Sequence, residues 1–473
     1  MILTKQFLIT ALPYARFYGG GKELTCTDEW NFYAQNKEIG AAVDTRVMKP
    51  DDLFIALPGA RTDGHAFVVA ALQQGASAVV VSDMTAVPVE VGQRLVVQVP
   101  DTMRALMDLA RARRAQFSIP VVGITGSLGK TTTKEMVRSI LNTAGVNFFA
   151  SAKNQNTRIS LCTNLLNMQS DVDVAVYEVS MDEAGQTRVQ TDILRPTIGL
   201  ITYIAGVHLA ALGSLEAIAR EKAELFAFMG PQDKKIIFGD QPLLREVVEG
   251  PVLTFGFELH HRVWADALQL LPPVTHFTLH SFGQQARVTL PSVHRGMLHN
   301  ALAAATIAHV LGIDLSHVVQ GIEQFQAHDN RFQMRPLPAE RGRVISDCYN
   351  AHPVSVRAAL DALEKMPNNG PKIAVLGDML ELGPEEEKLH RTVGGVFATL
   401  PSVKKLVAVG ARARWIGHAV PADVQVVYAK DWQDAVHHLM PLLDEPEVLV
   451  LVKGSRGMTL EKLVAIITGT TYP

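Results

Sequence analysis

Residues 121–131 read Val-Val-Gly-Ile-Thr-Gly-Ser-Leu-Gly-Lys-Thr, an apolar run followed by a glycine-rich turn. The apolar side chains of residues 136–144 then follow helical spacing, so this stretch predicts a strand, a tight turn and a helix in that order. Backbone N–H groups of such a turn and the N-terminus of the next helix bind phosphate oxygens. Lys130 would neutralise the β- and γ-phosphates of a nucleotide, and the hydroxyl of Thr131 would bind Mg²⁺. We therefore expect a nucleotide site at this turn.

The turn departs from the strict phosphate-binding spacing, because Ile124 stands where the first glycine would be. An ordinary glycine turn before a helix is the alternative interpretation. The run Gly-Lys-Thr in this context favours phosphate binding. We name residues 125–132 the phosphate loop. Its other residues expected to contact the nucleotide are Gly126, Ser127, Gly129 and Thr132.

Further strands are predicted at residues 172–179, 197–204 and 235–238, and helical stretches separate them. Strands that alternate with helices indicate an α/β fold, here a central parallel sheet with helices on both faces. Glu178 falls at the carboxyl end of its strand, where the ligand crevices of α/β sheets form. Its carboxylate could hold Mg²⁺ opposite the phosphate loop. A solvated strand end is the alternative for Glu178.

Two more residues of this block are candidates for the site. His208 follows the predicted strand at 197–204, and it either belongs to the site or is an ordinary surface or core histidine. Ser214 can cap a helix that runs to about residue 229. At 100° per residue, Lys222 lies in the middle of the apolar stripe of that helix. Its amine either reaches back to water or is placed inward for a purpose.

Shorter α/β patterns precede and follow the central block. Residues 1–116 predict a small mixed α/β domain with short strands, and residues 329–473 predict a smaller Rossmann-like α/β domain. We therefore expect three domains, the central one at residues 117–328. The last predicted strand runs into residues 453–457, Lys-Gly-Ser-Arg-Gly, which we name the basic turn. It could bind a second anion such as a substrate carboxylate, or lie in solvent.

The composition excludes several classes of protein. The 473 residues are 48% hydrophobic and 19% charged, which is too apolar for a disordered chain. Lys plus Arg number 44 and Asp plus Glu 47, and the net charge of −3 does not favour nucleic-acid binding. No apolar run approaches the ~20 residues of a membrane span. Three scattered cysteines fit a reducing compartment, so we expect a cytoplasmic protein, although Lys5 with the apolar residues 7–12 could also begin a short signal peptide.

Motifs in collinear order along nearly the whole chain resemble the Mur ligase family, ATP-dependent enzymes that form amide bonds in peptidoglycan synthesis. The motifs are Asp44-Thr-Arg46, residues 52–57, Asp63-Gly-His65, the phosphate loop, His208 with Lys222, Asn300-Ala-Leu-Ala-Ala304, Tyr349-Asn-Ala351, residues 375–383 and residues 451–457. The resemblance implies an N-terminal domain for a UDP-sugar, a central domain for ATP and a C-terminal domain for the incoming amino component.

The resemblance also implies roles for single residues. Lys130 and Thr131 would bind phosphate and Mg²⁺, Glu178 and His208 would be metal ligands, and Lys222 would be carbamylated and join the metal site. Lys130, Lys222 and His208 would thus serve catalysis. The ATP contacts where the central and C-terminal domains meet would be Arg331, Asp347 and Asn350. The substrate-binding residues would be Asp44, Thr45, Arg46, Asn154, Asn156, Lys453, Ser455 and Arg456.

The motifs are most similar to the branch of the family that joins D-alanyl-D-alanine to UDP-N-acetylmuramoyl-tripeptide through an acyl phosphate. We expect this reaction, with ATP and Mg²⁺, from a monomer. Departures from the family pattern at Leu128, residues 154–160, Gly296-Met297 and His352 leave a ligase for a different acid and amine as the alternative. A nucleotide-binding protein without catalysis is a second alternative. A folylpolyglutamate synthase is disfavoured because that type of enzyme lacks the UDP-sugar domain.

Overall fold

In the described part of the chain, three β-sheets follow one another, each within one of the three predicted segments. The computed structural model describes residues 4–20, 22–25, 39–59, 62–92, 94–152, 155–207, 209–327 and 330–470. The predicted α/β fold class is confirmed, whereas the domain boundaries at 116 and 328 stay predictions.

The N-terminal sheet is mixed, in the strand order β2-β1-β6-β5-β4-β3. Its strands are β1 (Arg16–Gly19), β2 (Lys22–Leu24), β3 (Ala41–Ala42), β4 (Leu53–Ile55), β5 (Ala78–Val81) and β6 (Leu95–Gln98). The helices of this segment are α1 (Lys5–Ala11), α2 (Val68–Gln73) and α3 (Thr102–Arg114). The strands from β3 to β6 pair in parallel, and β1 is antiparallel to both β2 and β6.

The central sheet has the order β15-β14-β13-β12-β11-β10-β7-β9-β8. Its strands are β7 (Val121–Thr125), β8 (Phe148–Ala150), β9 (Val174–Glu178), β10 (Ile198–Ile201), β11 (Lys234–Phe238), β12 (Leu253–Gly256), β13 (Val263–Leu271), β14 (Val274–Ser281) and β15 (Gln284–Leu290). The helices are α4 (Lys130–Thr143), α5 (Arg158–Asn167), α6 (Gln186–Leu194), α7 (Leu209–Leu212), α8 (Leu215–Ala223), α9 (Pro242–Val247), α10 (Arg295–Val310) and α11 (Leu315–Glu323).

The sequence predicts a parallel central sheet, but part of this sheet is antiparallel. Neighbouring strands pair in parallel from β8 across to β13, but β14 is antiparallel to both β13 and β15. Only the two residues 272–273 join β13 to β14, and only residues 282–283 join β14 to β15. A two-residue connection joins antiparallel strands, since a parallel pair needs a crossover of a dozen residues or more.

The C-terminal sheet has the order β16-β17-β21-β18-β19-β20 and is parallel except for β16. Its strands are β16 (Gln333–Pro336), β17 (Gly342–Asp347), β18 (Lys372–Gly377), β19 (Val403–Val409), β20 (Gln425–Ala429) and β21 (Val448–Lys453). The helices are α12 (Pro353–Lys365), α13 (Glu386–Val396), α14 (Ala413–Gly417), α15 (Trp432–Leu439) and α16 (Glu461–Thr468). β17 and β21 are neighbours, so Asp347 and Lys453 end side by side.

Polar contacts fasten the N-terminal sheet to the central one. On α3, Arg111 pairs with Asp192 of α6 at 2.8 Å between Nε and Oδ2. Asn167 of α5 bonds the backbone of β3, because its side-chain amide accepts from Ala41 N at 2.8 Å and donates to Ala41 O at 2.9 Å. The loop that follows β3 is thereby held against the central domain. Among the described residues, no helix has the length and apolar character needed to cross a bilayer.

Candidate active site

A cavity of about 1440 Å³ lies between the carboxyl ends of the central strands and the C-terminal segment. The predicted site residues that line it are Ser127, Gly129, Lys130, Thr131, Thr132, Asn156, Glu178, Arg331, Asp347, Asn350 and Lys453. Predicted site residues outside its lining are Asp44, Thr45, Arg46, Gly126, Lys222, Ser455 and Arg456. His208 and Asn154 fall outside the described residues. The tertiary structure thus brings residues from two sheets to one place.

The phosphate loop closes tightly against its neighbours, and glycine is required at two positions. Gly126 has φ of 143°, and a Cβ there would collide with the hydroxyl of Thr202. Gly129 has φ of 86° and precedes the first residue of α4, and a Cβ there would collide with the side-chain oxygen of Asn300. Positive φ values are easily adopted only by glycine. The two glycines therefore let the loop pack closely against Thr202 and Asn300.

Lys130 folds back over the loop to which it belongs. Its Nζ donates to the carbonyl oxygen of Gly126 at 2.7 Å. Burial lowers the pKa of Lys130, and the nearby carboxylate of Glu178 opposes that shift. An amine held in this way lies where a phosphate bound by the loop would place its oxygens.

Side-chain oxygen atoms from the first turn of α4 and from the end of β9 meet beside this lysine. Thr131 Oγ1 donates to Glu178 Oε2 at 2.7 Å, and Arg331 Nη2 donates to the same Thr131 oxygen at 2.9 Å. Asn156 Nδ2 donates to the other carboxylate oxygen of Glu178 at 3.1 Å. Glu178 is 2% exposed, so the alternative of a solvated strand end is wrong.

A hydroxyl and a carboxylate are the oxygen ligands that Mg²⁺ prefers, so Thr131 and Glu178 fit this ion. In the part of the chain that the structure describes, no three His, Cys, Asp or Glu side chains cluster as a metal site. Two protein ligands suffice for Mg²⁺ at a nucleotide, because the ion keeps waters and takes phosphate oxygens as its other ligands.

Lys222 points inward, as the apolar stripe predicts. Ser214 caps α8 by accepting from Ala217 N at 3.1 Å, and Lys222 near the end of that helix is 1% exposed. Burial, and next the positive charge of Lys130, hold the pKa of Lys222 well below its ordinary value. The alternative, an amine that reaches water, is therefore wrong. An amine that is buried and influenced by the charge of Lys130 is chemically distinct from a surface lysine.

The basic turn is paired rather than open. Lys453 Nζ forms an ion pair with Asp347 Oδ2 at 2.6 Å and donates to Asn350 O at 2.9 Å. Ser455 Oγ accepts from Leu380 N at 2.9 Å, and Arg456 lies 3.5 Å from Glu461. Lys453 and Ser455 are buried, so the alternative of a turn in solvent is wrong for both.

In the N-terminal segment, the predicted substrate residues form a local pair. Arg46 Nη2 lies 2.6 Å from Asp44 Oδ2, and this pair holds the pKa of Asp44 below its ordinary value. Arg46 is largely exposed, directly after β3. The pair is thus accessible to a ligand at the surface of this segment.

Sequence reasoning missed the aromatic part of the cavity. Tyr203, Phe238 and Phe257 line it, together with His294 at the N-cap of α10 and His299 within that helix. Each aromatic residue lies at or just beyond the end of a strand, so a search of strand ends would have found them. His299 carries no spacing signal, because it lies within a helix whose residues are buried on most sides, and His294 is the residue that caps this helix.

Three family models match successive parts of the chain. They are the Mur ligase family catalytic domain at residues 40–114, the Mur ligase middle domain at 124–308 and the Mur ligase glutamate ligase domain at 330–456. The last two span the cavity-lining residues of the central and C-terminal segments.

Ligases of D-alanyl-D-alanine, also called MurF, resemble the chain over most of its length. The UDP-N-acetylmuramoyl-tripeptide–D-alanyl-D-alanine ligase of Bacillus subtilis is 31% identical over 91% of this chain and 93% of that protein. A crystal structure of MurF from Acinetobacter baumannii has a TM-score of 0.85 at 28% identity, with 99% of both chains covered. MurF ligase from Thermotoga maritima in complex with ADP has a TM-score of 0.80 at 25% identity over 91% of this chain and 97% of that one. With this similarity over its whole length and the phosphate loop at its cavity, the chain belongs to the Mur ligase family.

Proposed function

We propose that the chain is an ATP-dependent, ADP-forming ligase that joins D-alanyl-D-alanine to UDP-N-acetylmuramoyl-tripeptide in peptidoglycan synthesis. The observation that carries this proposal is the single cavity in which the phosphate loop, Glu178 and Arg331 face Asp347 and Lys453. The names of the relatives favour this pair of substrates over a different acid and amine.

In the first step, the terminal carboxylate of the tripeptide attacks the γ-phosphorus of ATP, and the bond to the β-phosphate oxygen breaks to release ADP. Negative charge shifts on the phosphoryl group as it moves. Lys130 and the backbone N–H groups of the phosphate loop stabilise that charge from one side. Arg331, whose guanidinium stacks 3.7 Å above the ring of Tyr349 and donates to Thr131, stabilises it from the other.

In the second step, the amine of D-alanyl-D-alanine attacks the acyl phosphate, and the tetrahedral intermediate expels inorganic phosphate. The chain needs no nucleophile of its own for this sequence. Water would hydrolyse the acyl phosphate, so the central and C-terminal domains must enclose it. Residues of both already line the cavity, which supports enclosure.

Mg²⁺ bound by Thr131 and Glu178 would neutralise charge on the β- and γ-phosphates. We further propose that Lys222 is carbamylated, because a neutral amine reacts with CO₂ and the product is an anionic oxygen ligand. The lowered pKa of Lys222 supports this, since burial favours the reactive neutral form of the amine. His208 would be a further ligand of the metal ion.

For the substrates, we assign Asp44, Thr45 and Arg46 to the UDP-sugar, and Asn154 and Asn156 to substrate binding as well. Lys453, Ser455 and Arg456 would hold the carboxylate of the incoming dipeptide, with Lys453 also ordering Asp347 and Asn350. Gly126, Ser127, Gly129 and Thr132 would contact ATP. We place the enzyme in the cytoplasm, where ATP and nucleotide-linked precursors are found. We expect it to be a monomer.

The test is the release of ADP with UDP-N-acetylmuramoyl-tripeptide, D-alanyl-D-alanine and ATP, measured with each substrate omitted in turn. ADP release that needs both the acid and the amine, with formation of the pentapeptide product, is the expected result. Turnover with another acid and amine pair but not with this one would contradict the proposal. Nucleotide binding without turnover for any pair would indicate a non-catalytic protein.

A further inference from the structure

An aromatic wall made by Tyr203, Phe238 and Phe257 lies beside the phosphate loop. Thr202 connects the two, because its Oγ1 donates to the carbonyl oxygen of Leu128 at 2.5 Å while Tyr203 is the next residue. Nucleobases stack well on aromatic rings. The base of a nucleotide whose phosphates occupy the loop therefore has an apolar, stacking surface within reach.

His299 of α10 stands among these rings and also lines the cavity. Its ring centroid lies 4.4 Å from that of Phe238 at an interplanar angle of 72°, and 6.0 Å from that of Tyr203. The side chain is nearly buried, at 8% exposure of the residue. The ring is thus held in one orientation by its neighbours.

The proton of this ring can be assigned to one nitrogen. His299 Nε2 lies 3.1 Å from the carbonyl oxygen of Thr202, which can only accept a hydrogen bond, so Nε2 carries the hydrogen. Burial lowers the pKa of His299 to about 4, so the ring is neutral at neutral pH. Nδ1 is then an acceptor, and it bonds no donor within the described part of the chain.

Two other polar side chains of the lining, both just after β11, are already engaged. Asp240 accepts from Phe257 N at 2.7 Å with one oxygen and lies 2.6 Å from the ring of His261 with the other. Gln241 accepts from Ile204 N at 2.9 Å and donates to Ile204 O at 2.8 Å. Of the polar side chains Asp240, Gln241 and His299, only the last offers an unused acceptor to a base on the aromatic wall.

We propose that Nδ1 of His299 accepts a hydrogen bond from the exocyclic amine of the nucleobase and so makes the site selective for adenine. This rests on the proposed function, which puts ATP in the cavity. Guanine presents a carbonyl oxygen at the corresponding position, and two acceptors facing each other cannot bond. A purine with hydrogen at that position loses the bond without repulsion.

The experiment is calorimetric titration of the full chain with ADP, GDP and purine riboside diphosphate, which is ADP without its amino group. We expect ADP to bind about five- to tenfold tighter than purine riboside diphosphate, the ratio typical of one net hydrogen bond, and GDP to bind weakest. In His299→Leu, which keeps apolar bulk but has no acceptor, the ratio of ADP to purine riboside diphosphate affinity should fall close to one.

His309→Leu is the matched control, because His309 belongs to the same helix, stacks at 3.7 Å on Phe282 and lies outside the cavity lining. It should keep the wild-type ratio. Equal binding of ADP and purine riboside diphosphate by the wild type would overturn the proposal even if His299→Leu failed to fold. A folded His299→Leu that keeps the wild-type ratio of ADP to purine riboside diphosphate affinity would also overturn the proposal. A wild type that binds no adenine nucleotide would instead contradict the proposed function itself.

Discussion

The phosphate loop and the basic turn share one sequence pattern, a buried strand, a glycine-containing turn with a lysine and then a helix, but they fold differently. After β7, α4 begins at Lys130 itself, and Lys130 faces the cavity. After β21, Lys453 is still the last residue of the strand, and α16 begins only at Glu461. The first turn therefore places its lysine at a helix N-terminus, and the second does not.

The charges around the two lysines differ as well. Lys130 bonds a neutral carbonyl oxygen, whereas Lys453 is paired with the carboxylate of Asp347 in a buried position. A lysine that bonds a carbonyl oxygen keeps its full charge for an anionic ligand, while a buried lysine paired with a carboxylate must also neutralise that carboxylate. The comparison teaches that the same motif can bond its lysine to a neutral carbonyl oxygen in one place and to a carboxylate of the neighbouring strand in another.

The largest expected effect comes from Lys130→Ala. Removal of this cation should lower the turnover number by about 10²- to 10³-fold or more, because it stabilises charge on the transferred phosphoryl group. The melting temperature should change little, since no carboxylate loses a bonded partner. ADP release and thermal unfolding measure the two quantities. Activity within a few-fold of the wild type would show that the phosphate loop is wrongly assigned.

Lys222→Ala comes next, with a loss of about a hundredfold or more if the carbamate is a metal ligand. Lys222→Glu should do no worse, since its carboxylate replaces part of the carbamate. In CO₂-depleted buffer the wild type should lose activity and regain it with bicarbonate, but Lys222→Ala should not respond.

The same group predicts a pH dependence. Burial lowers the pKa of Lys222, so the neutral amine dominates above that pKa and protonation begins only as the pH falls through it. Bicarbonate-dependent activity should therefore decline on the acid side and not on the alkaline side. A mass measurement of an unmodified Lys222 in the active, metal-loaded enzyme would contradict the carbamate.

Lys453→Met tests the other half of the comparison through stability. Loss of one partner leaves the carboxylate of Asp347, whose side chain is 13% exposed, without its cation. Breaking a buried pair costs about 3 kcal/mol in the free energy of unfolding. Lys404→Met, in the exposed pair with Asp423, is the control and should leave that free energy unchanged. Denaturant unfolding measures both. Equal stability of Lys453→Met and wild type would mean that the pair does not hold β17 to β21.

The smallest effect is expected for Arg456→Ala, whose side chain is 57% exposed. If Arg456 binds the dipeptide carboxylate, the KM for D-alanyl-D-alanine should rise about tenfold, the loss of one charge-assisted hydrogen bond, and the KM for ATP should stay nearly constant. Arg391→Ala, on the exposed face of α13, is the control. Parallel changes in both KM values would remove Arg456 from the dipeptide site.

Local patterns in the sequence were enough for the elements that carry the site. A strand, the glycine turn and a helix follow one another at β7 and α4 as predicted, Glu178 ends its strand, and Lys222 is buried as its place in the stripe predicts. Each of these rests on neighbours within a few positions, where backbone geometry repeats at a known period. The antiparallel β14 and β15 were missed, although they too are local.

Other features depended on residues far apart in the chain. Arg331 reaches Thr131 across 200 positions, and Lys453 reaches Asp347 across 106. Periodicity predicts which face of an element is buried, but it contains no information on which distant charge that face will meet. The acceptor nitrogen of His299 is defined only by its contact with the carbonyl of Thr202. Pairing, protonation and the shape of the cavity therefore depended on packing, because electrostatic and hydrogen-bonding partners are chosen by distance in space rather than by position in the chain.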